Sequence, residues 1–514
     1  MKQNKIVNAF LNPEFYQHFV EHIELVETHI SWVFLTGRFA YKIKKPVDFG
    51  FLNFTRLEQR KYYCQQELLL NRRFAPDIYL DVLPVTESEN HLSLAGQGEI
   101  IDYAIKMLQF DHNCLLDKLL EKHQIELSHI DNLSDVVADF HDTIKIADAQ
   151  VNFGSTVEVI KPVEENFSIL NNILSDSKDQ QLLKSLYRQT LSIYESIRPQ
   201  LAARKKQGHI RECHGDLHLG NITLRDNKIL LFDGIEFNES FRWIDTMSDC
   251  AFLIMDLQDH EQTVFANHFL NHYLLKSGDY SGLPVLKFYQ FYRATVRAKV
   301  AALRLQQQKA ESTAYNNTLS NLRNYLELAA TYVRTSMQKS RKFLAISFGL
   351  SGSGKSWLSS QLADQLGAIQ LRSDVERKRL FSRTAAELYR DSTTQKTYAH
   401  LMALVELVLN AGYPVIVDAT FLHKKWRRNF RAIAEKHQIP FHILACTADQ
   451  NTLKQRLRSR QQEKSNVSDA DISVMELQRK NMDSLDREEK KYEISVDTGK
   501  LLDCSPIVAQ IQGN

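Results

Sequence analysis

The stretch GLSGSGKS at residues 349–356 constrains the fold of this 514-residue chain more than any other feature. It fits the pattern G-x-x-x-x-G-K-[ST] and lies between a strand-like run, FLAISF, and a run with helical spacing, KSWLSSQLADQL. Because glycine lets backbone N–H groups curl around an anion, this strand–turn–helix pattern predicts a nucleotide phosphate site. In such a site the lysine reaches the β- and γ-phosphates, and the hydroxyl residue after it binds Mg²⁺. The predicted site comprises Gly349, Gly352, Ser353, Gly354, Lys355 and Ser356.

The alternation of strands and helices after residue 343 predicts an α/β P-loop NTPase domain with a mainly parallel sheet. Five strand-like runs, FLAISFGL, AIQL, PVIVDAT, FHILACT and YEISVD, alternate with helical runs. Such alternation is typical of a sheet covered by helices on both faces. The polar, basic stretch TSMQKSRK precedes it and has no apolar period, so we predict a linker there. The predicted domains are 1–335 and 343–514, joined by the linker 336–342.

Charged residues of this second domain extend the predicted site. Asp418 ends a strand-like run, where a carboxylate can support Mg²⁺. Asp374 follows the second predicted strand at the carboxyl edge of the sheet, where it can orient and deprotonate an acceptor hydroxyl or simply cap a helix. Arg456 and Arg460 lie one helical turn apart and can stabilise charge on the γ-phosphate, or form a solvated basic face.

Residues 343–514 resemble the P-loop kinases grouped with zeta toxins, polynucleotide 5′-kinases and gluconate-type small-molecule kinases. The resemblance is carried by GLSGSGKS, by Asp374 with Arg377 three residues later, by the stretch DAT that begins at Asp418, and by the two arginines above. It implies that Asp374 is the acceptor base and that Arg377 holds the acceptor. Because this group phosphorylates very different acceptors, the resemblance implies the reaction type and leaves the substrate open.

A second motif, HGDLHLGNI at residues 214–222, predicts another phosphoryl-transfer site. Asp216 and Asn221 have the D-x-x-x-x-N spacing in which the carboxylate orients the acceptor hydroxyl and the amide oxygen binds Mg²⁺. Asp233 ends the strand-like run ILLF and can supply the second carboxylate to the metal. Three such groups at these spacings favour a catalytic role over packing.

Residues 30–335 resemble the aminoglycoside phosphotransferase and choline kinase-like proteins through the loop H-G-D-x-x-x-x-N. The resemblance implies an α+β protein-kinase-like fold with a β-rich N-lobe and a helical C-lobe. It also implies a phosphate-binding lysine on the third strand and a glutamate on the next helix, where Glu67 stands. Lys42 and Lys44 share one strand face, and the context IKKP favours Lys44. No G-x-G-x-x-G precedes them, so the segment ETHISW is expected to cover the phosphates.

Composition excludes several classes of protein. The 64 basic and 62 acidic residues give a net charge of +2, so no bulk field draws the protein to nucleic acid or membrane, although a nucleic-acid end stays open as an acceptor. The 6 cysteines lack the spacing of a metal or disulfide framework, which indicates reduced thiols. No apolar run approaches the ~20 residues of a membrane span. We expect a cytoplasmic protein with no membrane partner.

The sequence therefore predicts a bifunctional, ATP-dependent kinase with two ATP–Mg²⁺ sites. Each would transfer a γ-phosphoryl group to a hydroxyl of a small-molecule or nucleotide-like acceptor. Arg293, Arg297 and Arg304 fall close to one helix face; they favour an anionic acceptor, or they form a solvated face or salt bridges between domains. The whole arrangement resembles bacterial two-domain proteins described as predicted kinases. Two alternatives stay open: one domain is a nucleotide sensor that regulates the other, or the chain modifies aminoglycosides.

Overall fold

The computed structural model describes most of the chain in two compact units. The described residues are 2–50, 52–337, 342–381, 391–462, 471–500 and 503–513. The first unit comprises Met1–Val159 and Lys205–Asp256, and the second comprises Ile160–Arg204 and Leu257–Asn514. Residues 338–341 of the predicted linker lie outside the described residues, and the predicted domain boundaries stay a prediction.

The first unit is built on a six-stranded antiparallel sheet. Its strands are β1 (Glu24–Glu27), β2 (Ser31–Leu35), β3 (Phe39–Lys44), β4 (Tyr79–Ser88), β5 (His91–Leu94) and β6 (Glu99–Leu108). They are hydrogen-bonded in the order β1-β2-β3-β6-β4-β5. Strands β2 and β3 form a hairpin at Gly37, which has a φ of +88°, and Leu35 lies opposite Ala40. Two small antiparallel sheets pair β7 (Ile210–Glu212) with β10 (Trp243–Asp245) and β8 (Ile222–Arg225) with β9 (Lys228–Leu231).

Strand β3 separates the core of this sheet from its charged face. Tyr41 and Ile43 are buried in an apolar cluster with Phe10. Lys42 and Lys44 alternate with them, so their side chains lie on the opposite face. Helix α2, Leu57–Asn71, packs against β4 and β6 and contributes the carboxylate that both lysines contact. The period-two pattern of the strand therefore places two lysines on the same side of the sheet as α2.

The second unit contains a five-stranded parallel sheet, as predicted. Its strands are β11 (Leu344–Phe348), β12 (Ile369–Arg372), β13 (Val415–Asp418), β14 (Phe441–Thr447) and β15 (Glu493–Asp497). The spatial order is β12-β13-β11-β14-β15, and all four pairings are parallel. The strands that follow β11 are added first on one side of it and then on the other, since β13 and β14 lie on opposite sides of β11. Such a change of side opens a crevice at the carboxyl end of β11. The motif GLSGSGKS begins at that end.

Helices make up most of the remaining chain. Those before the parallel sheet are α1 (Lys2–Phe10), α2, α3 (Leu116–Glu121), α4 (Leu127–Thr143), α5 (Thr156–Ile173), α6 (Ser177–Lys206), α7 (Glu239–Arg242), α8 (Thr246–Asp259), α9 (Thr263–Ser277), α10 (Leu283–Leu305) and α11 (Thr313–Met337). Those after β11 are α12 (Lys355–Leu366), α13 (Ser373–Leu380), α14 (Asp391–Asn410), α15 (Lys424–His437), α16 (Gln450–Gln462), α17 (Ile472–Lys480) and α18 (Ser505–Gln512). Across the described ranges, we find no helix that is both long and apolar enough to cross a membrane.

Helix α9 completes the edge of the parallel sheet. The Asn271 side chain donates a hydrogen bond from Nδ2 to the Ala368 carbonyl at 3.0 Å, and its Oδ1 accepts one from the Gln370 N–H at 2.8 Å. These are backbone groups at the edge strand β12, which has a strand neighbour on one side only. His268 and Asp364 add a contact of 2.8 Å between α9 and α12. Because buried backbone groups need hydrogen-bond partners, the side-chain amide of Asn271 supplies two of the bonds that a neighbouring strand would otherwise provide.

Candidate active sites

The first candidate site centres on Glu67, which contacts two lysines. Its Oε1 lies 2.8 Å from Lys42 Nζ, and its Oε2 lies 2.6 Å from Lys44 Nζ. Lys42 continues to Asp233, with Nζ 2.5 Å from Oδ1, and Lys44 forms a second ion pair with Glu236. The structure thus brings together both predicted lysines, the predicted glutamate and one predicted metal carboxylate. Glu236 was not predicted from the sequence.

Burial and charge oppose each other in this cluster. Burial would raise the pKa of Glu67, but attraction to Lys42 and Lys44 lowers it to about 2. Burial likewise disfavours the charge on both lysines, yet the surrounding carboxylates raise their pKa values above the usual range. For Glu236 burial prevails over the attraction of Lys44, and its pKa is raised. Glu67 and the two lysines are therefore charged at neutral pH.

The two lysines differ in access to solvent. The side chain of Lys44 is fully buried, and the ring centroid of Phe54 lies 5.0 Å from its Nζ. The Lys42 side chain keeps 10% of its surface exposed and contacts Asp233, whose side chain is 43% exposed. Of the two ammonium groups, the one on Lys42 therefore lies nearer to a surface that a ligand can reach.

The loop that follows β7 holds the predicted catalytic aspartate. Asn221 Nδ2 donates hydrogen bonds to the backbone oxygen of Asp216 at 3.0 Å and to its Oδ2 at 3.1 Å. Asp249 accepts the N–H groups of His214 at 2.9 Å and Gly215 at 3.0 Å, which fixes the start of the loop. Gly215 has a φ of +85°, and a Cβ there would lie 2.6 Å from a backbone oxygen, so the motif requires glycine.

Asp233 is held in a strained backbone conformation. Its φ is +60°, which non-glycine residues adopt rarely, and its N–H donates to the Tyr79 hydroxyl at 3.0 Å. The next residue, Gly234, donates its N–H to Asn71 Oδ1 at 2.8 Å. The preceding residue donates its N–H to the backbone oxygen of Asn221 at 3.0 Å. The loop that carries Asp233 is thereby fixed beside the loop of Asp216 and Asn221 and beside helix α2.

The second candidate site is formed by the turn between β11 and α12. Gly349 and Gly354 have φ values of +144° and +78°. A Cβ on Gly349 would lie 2.4 Å from the Cys446 carbonyl oxygen, and one on Gly354 would lie 2.8 Å from Thr498 Oγ1. Gly352 also has a positive φ, of +84°. The pattern of glycines is therefore required by the backbone path and by close neighbours.

Lys355 and Arg456 both contact this turn. Lys355 Nζ donates to the backbone oxygen of Leu350 at 2.7 Å, so the lysine folds over the loop. Arg456 donates from Nη1 to Thr498 Oγ1 at 3.0 Å and from Nη2 to the Thr498 carbonyl at 2.6 Å. The Thr498 hydroxyl in turn donates to the backbone oxygen of Ser353 at 2.8 Å. Arg456 thus braces the loop, whereas the side chain of Arg460 lies outside the part of the chain that the structure describes.

Asp374 and Asp418 lie at the same edge of the parallel sheet. Asp418 is paired in register with Arg372, whose Nε lies 3.4 Å from Asp418 Oδ2. Asp374 follows two residues later in the first turn of α13, with Arg377 Nη1 3.8 Å from its Oδ1. Ser356 lies in the first turn of α12. The predicted acceptor and metal residues are therefore carried by the ends of β12 and β13 and by the starts of α12 and α13.

Tyr398, on α14, is a neighbour of this group that sequence reasoning missed. Its ring stacks on Trp426 with centroids 4.5 Å apart and an angle of 9° between the planes. Burial raises the pKa of its hydroxyl to about 12, while hydrogen bonds from Phe421 and Thr420 and the charge of Arg377 act in the opposite direction. No local signal marks Tyr398, because α14 has the ordinary apolar spacing of a packed helix.

The predicted basic stripe does not form one exposed face. Arg293 is 5% exposed and lies over the Tyr292 ring at 5.2 Å. Arg297 is half-buried and lies over the Tyr325 ring at 5.9 Å, whereas Arg304 is exposed. The three arginines therefore occupy different environments along α10.

Comparisons with known proteins find similarity in the second unit and along most of the chain. Residues 344–485 match the family model described as an AAA domain. An uncharacterized protein of Mycobacterium tuberculosis (strain ATCC 25618 / H37Rv) is 28% identical over 447 residues, which are 85% of this chain and 86% of the relative.

Similar solved structures match one part of the chain each. The amicoumacin kinase in complex with AMP-PNP, Ca²⁺ and Ami is 12% identical, with 64% of this chain and 93% of that chain covered and a TM-score of 0.41. A gluconokinase from Sinorhizobium meliloti 1021 is 18% identical, with 34% of this chain and 91% of that chain covered and a TM-score of 0.26.

Proposed function

We propose that this protein is a bifunctional phosphotransferase with two ATP–Mg²⁺ sites, each transferring a γ-phosphoryl group to an acceptor hydroxyl. The observation that carries the proposal is the continuous contact from Glu67 through Lys42 to Asp233. It joins the helix, the strand and the metal-binding loop whose joint placement phosphoryl transfer requires. The second site is supported by the glycine turn between β11 and α12, over which Lys355 folds.

In the first site we assign the phosphate contact to Lys42 and a supporting role to Lys44. Lys42 is the lysine that contacts Asp233, and Lys44 has no exposed surface. Asn221 and Asp233 offer the amide and carboxylate oxygens that Mg²⁺ prefers. If Asp233 held Mg²⁺, the charge of Lys42 would be available to a phosphate group, because Lys42 is now paired with that carboxylate. Asp216, 39% exposed, orients and accepts the proton of the acceptor hydroxyl.

In the second site the backbone amides of residues 349–354 hold the phosphates together with Lys355. Ser356 and Asp418 supply oxygen ligands for Mg²⁺. Asp374 accepts the proton of the acceptor hydroxyl, and Arg377 holds the acceptor. Arg456 stabilises the phosphate loop through its hydrogen bonds to Thr498. Arg460, one turn further along α16, is the candidate for a direct contact with the γ-phosphate.

The acceptors we propose are small-molecule or nucleotide-like hydroxyl compounds in the cytoplasm. The 6 cysteines form no disulfide and 5 of them are buried, which accords with a reducing compartment. Neither net charge nor any exposed stripe of α10 gives a reason to prefer polycationic aminoglycosides or nucleic acid as the acceptor.

The test is an acceptor screen with the full chain, ATP and Mg²⁺, in which mass spectrometry detects added phosphoryl groups. Asp216→Asn and Asp374→Asn are each expected to remove a different set of products. Asp226→Asn, an exposed turn residue with an 85% exposed side chain, is the matched control and should change neither set. If one substitution removed every product, two independent sites would be disproved and the alternative of one kinase with a regulatory nucleotide sensor would be favoured.

A further inference from the structure

The ion pair between Lys44 and Glu236 has no role in the phosphate contact described above. Lys44 Nζ lies 2.6 Å from Glu67 Oε2 and also pairs with Glu236, and the side chains of Lys44 and Glu236 are 0% and 4% exposed. Buried ion pairs are often no more stabilising than apolar residues of similar volume. A pair buried so completely beside a reactive centre therefore suggests a role in positioning.

The contacts of Glu67 explain what such a pair can do. Each oxygen of Glu67 faces a different lysine: Oε1 faces Lys42 and Oε2 faces Lys44. With one lysine alone, the carboxylate could rotate and exchange its oxygens. With a lysine on each side, its orientation is fixed, and Lys42 is held at Asp233.

The loop that carries Asp233 is attached to α2 by contacts beyond the one through Lys42. Gly234 donates its N–H to Asn71 Oδ1 at 2.8 Å, and Asn71 Nδ2 donates to the Glu67 carbonyl at 2.9 Å. Two residues after Gly234, Glu236 reaches Glu67 through Lys44. Asn71 and Glu67 lie four residues apart, on one face of α2. Helix and loop are therefore linked through Asn71 and through Lys44, in addition to the contact through Lys42.

We propose that Lys44 and Glu236 are positioning residues that lock helix α2 to the loop carrying Asp233. This inference rests on the nucleotide site proposed above and adds to it. Through Glu67, the pair holds Lys42 at Asp233, so that helix, strand and loop keep the joint placement on which phosphoryl-transfer sites depend.

The test measures binding of Mg²⁺ with AMP-PNP by calorimetry in the full chain carrying Lys355→Ala. That substitution removes the phosphate lysine of the second site, so the titration reports on the first. Lys44→Met is expected to lower both the melting temperature and the affinity. The double variant Lys44→Met with Glu236→Leu should regain melting temperature relative to Lys44→Met, because Glu236 no longer leaves a buried carboxylate without a lysine and Glu67 keeps Lys42. It should nevertheless bind at least about tenfold more weakly than the parent, within the range of couplings between two elements.

A double variant that binds as tightly as the parent would show that the pair only fills space and would overturn the inference. Glu236→Gln provides a second measurement that does not depend on the double variant folding. It should speed amide hydrogen exchange in Leu57–Asn71 and leave exchange in β4 and β6 unchanged; unchanged exchange in α2 would count equally against the inference. Lys42→Ala separates the two proposals, because full affinity in that variant would contradict the proposed nucleotide site itself.

Discussion

Replacing Glu67 by glutamine should destabilise helix α2 and its neighbours by about 3–5 kcal/mol, the usual cost of breaking a buried ion pair by removing one partner. The lowered pKa of Glu67 gives a similar free energy. Lowering the pKa of Glu67 from its ordinary 4.5 to about 2 corresponds to about 3 kcal/mol of stability. The glutamine would leave Lys42 and Lys44 with Asp233 and Glu236 as their remaining charged partners in this cluster.

The assay is native-state hydrogen exchange, which gives the free energy of opening for Leu57–Asn71. Glu58→Gln is the matched control, because Glu58 lies on the same helix and is exposed. An opening free energy for Glu67→Gln within about 1 kcal/mol of the control would refute the reasoning, since that is the value of an exposed ion pair.

The lowered pKa of Glu67 also determines how the stability of the protein depends on pH. Because the folded pKa is lowered, the stabilisation is complete above pH 4.5 and is lost as the pH falls towards about 2. The wild-type protein should therefore lose more stability than Glu67→Gln between those two values. Parallel losses in the two proteins would show that Glu67 is not ionised by its lysines.

Two further predictions concern the second unit. Asn271→Ala should lower the free energy of opening of β12 by about 2–4 kcal/mol, because two buried backbone groups lose their hydrogen-bond partner. Hydrogen exchange in β12 measures this free energy. The control is Asn317→Ala, at an exposed position of α11, which should leave exchange in β12 unchanged. Gly354→Ala, tested with Lys42→Ala in the background, should abolish calorimetric binding of Mg²⁺ with AMP-PNP, since its Cβ would lie 2.8 Å from a hydroxyl oxygen. Gly513→Ala has a similar φ of +75° but open space around it, so equal losses in the two variants would exclude the steric explanation.

The parallel sheet could be predicted because its signals are local. Each strand is a short apolar run, and GLSGSGKS requires a strand before it and a helix after it. The close approach of Gly349 to the carbonyl of Cys446, almost a hundred residues away, depends on the folded sheet and was not predicted from the motif. Local spacing therefore determined the type of fold and the place of the phosphate turn.

The choice between Lys42 and Lys44 could not be made from local spacing. A period of two places both on one strand face, and the sequence context favoured Lys44. What separates them is the position of Asp233 and Glu236, which lie some 190 residues later and reach a different lysine each. Asn271 presents the same difficulty, because its role depends on α9 docking against β12 and not on any feature of the helix itself.

The two sites differ in what must change when a nucleotide binds. In the first, Lys42 is already neutralised by Glu67 and Asp233, so the two lysines face three carboxylates. At the proposed site, a bound Mg²⁺ would offset this negative charge where phosphates are expected to bind. In the second, Lys355 Nζ donates to the backbone oxygen of Leu350. At the proposed site a phosphate would give this ammonium group a charge-assisted hydrogen bond, which is stronger than one to a neutral oxygen.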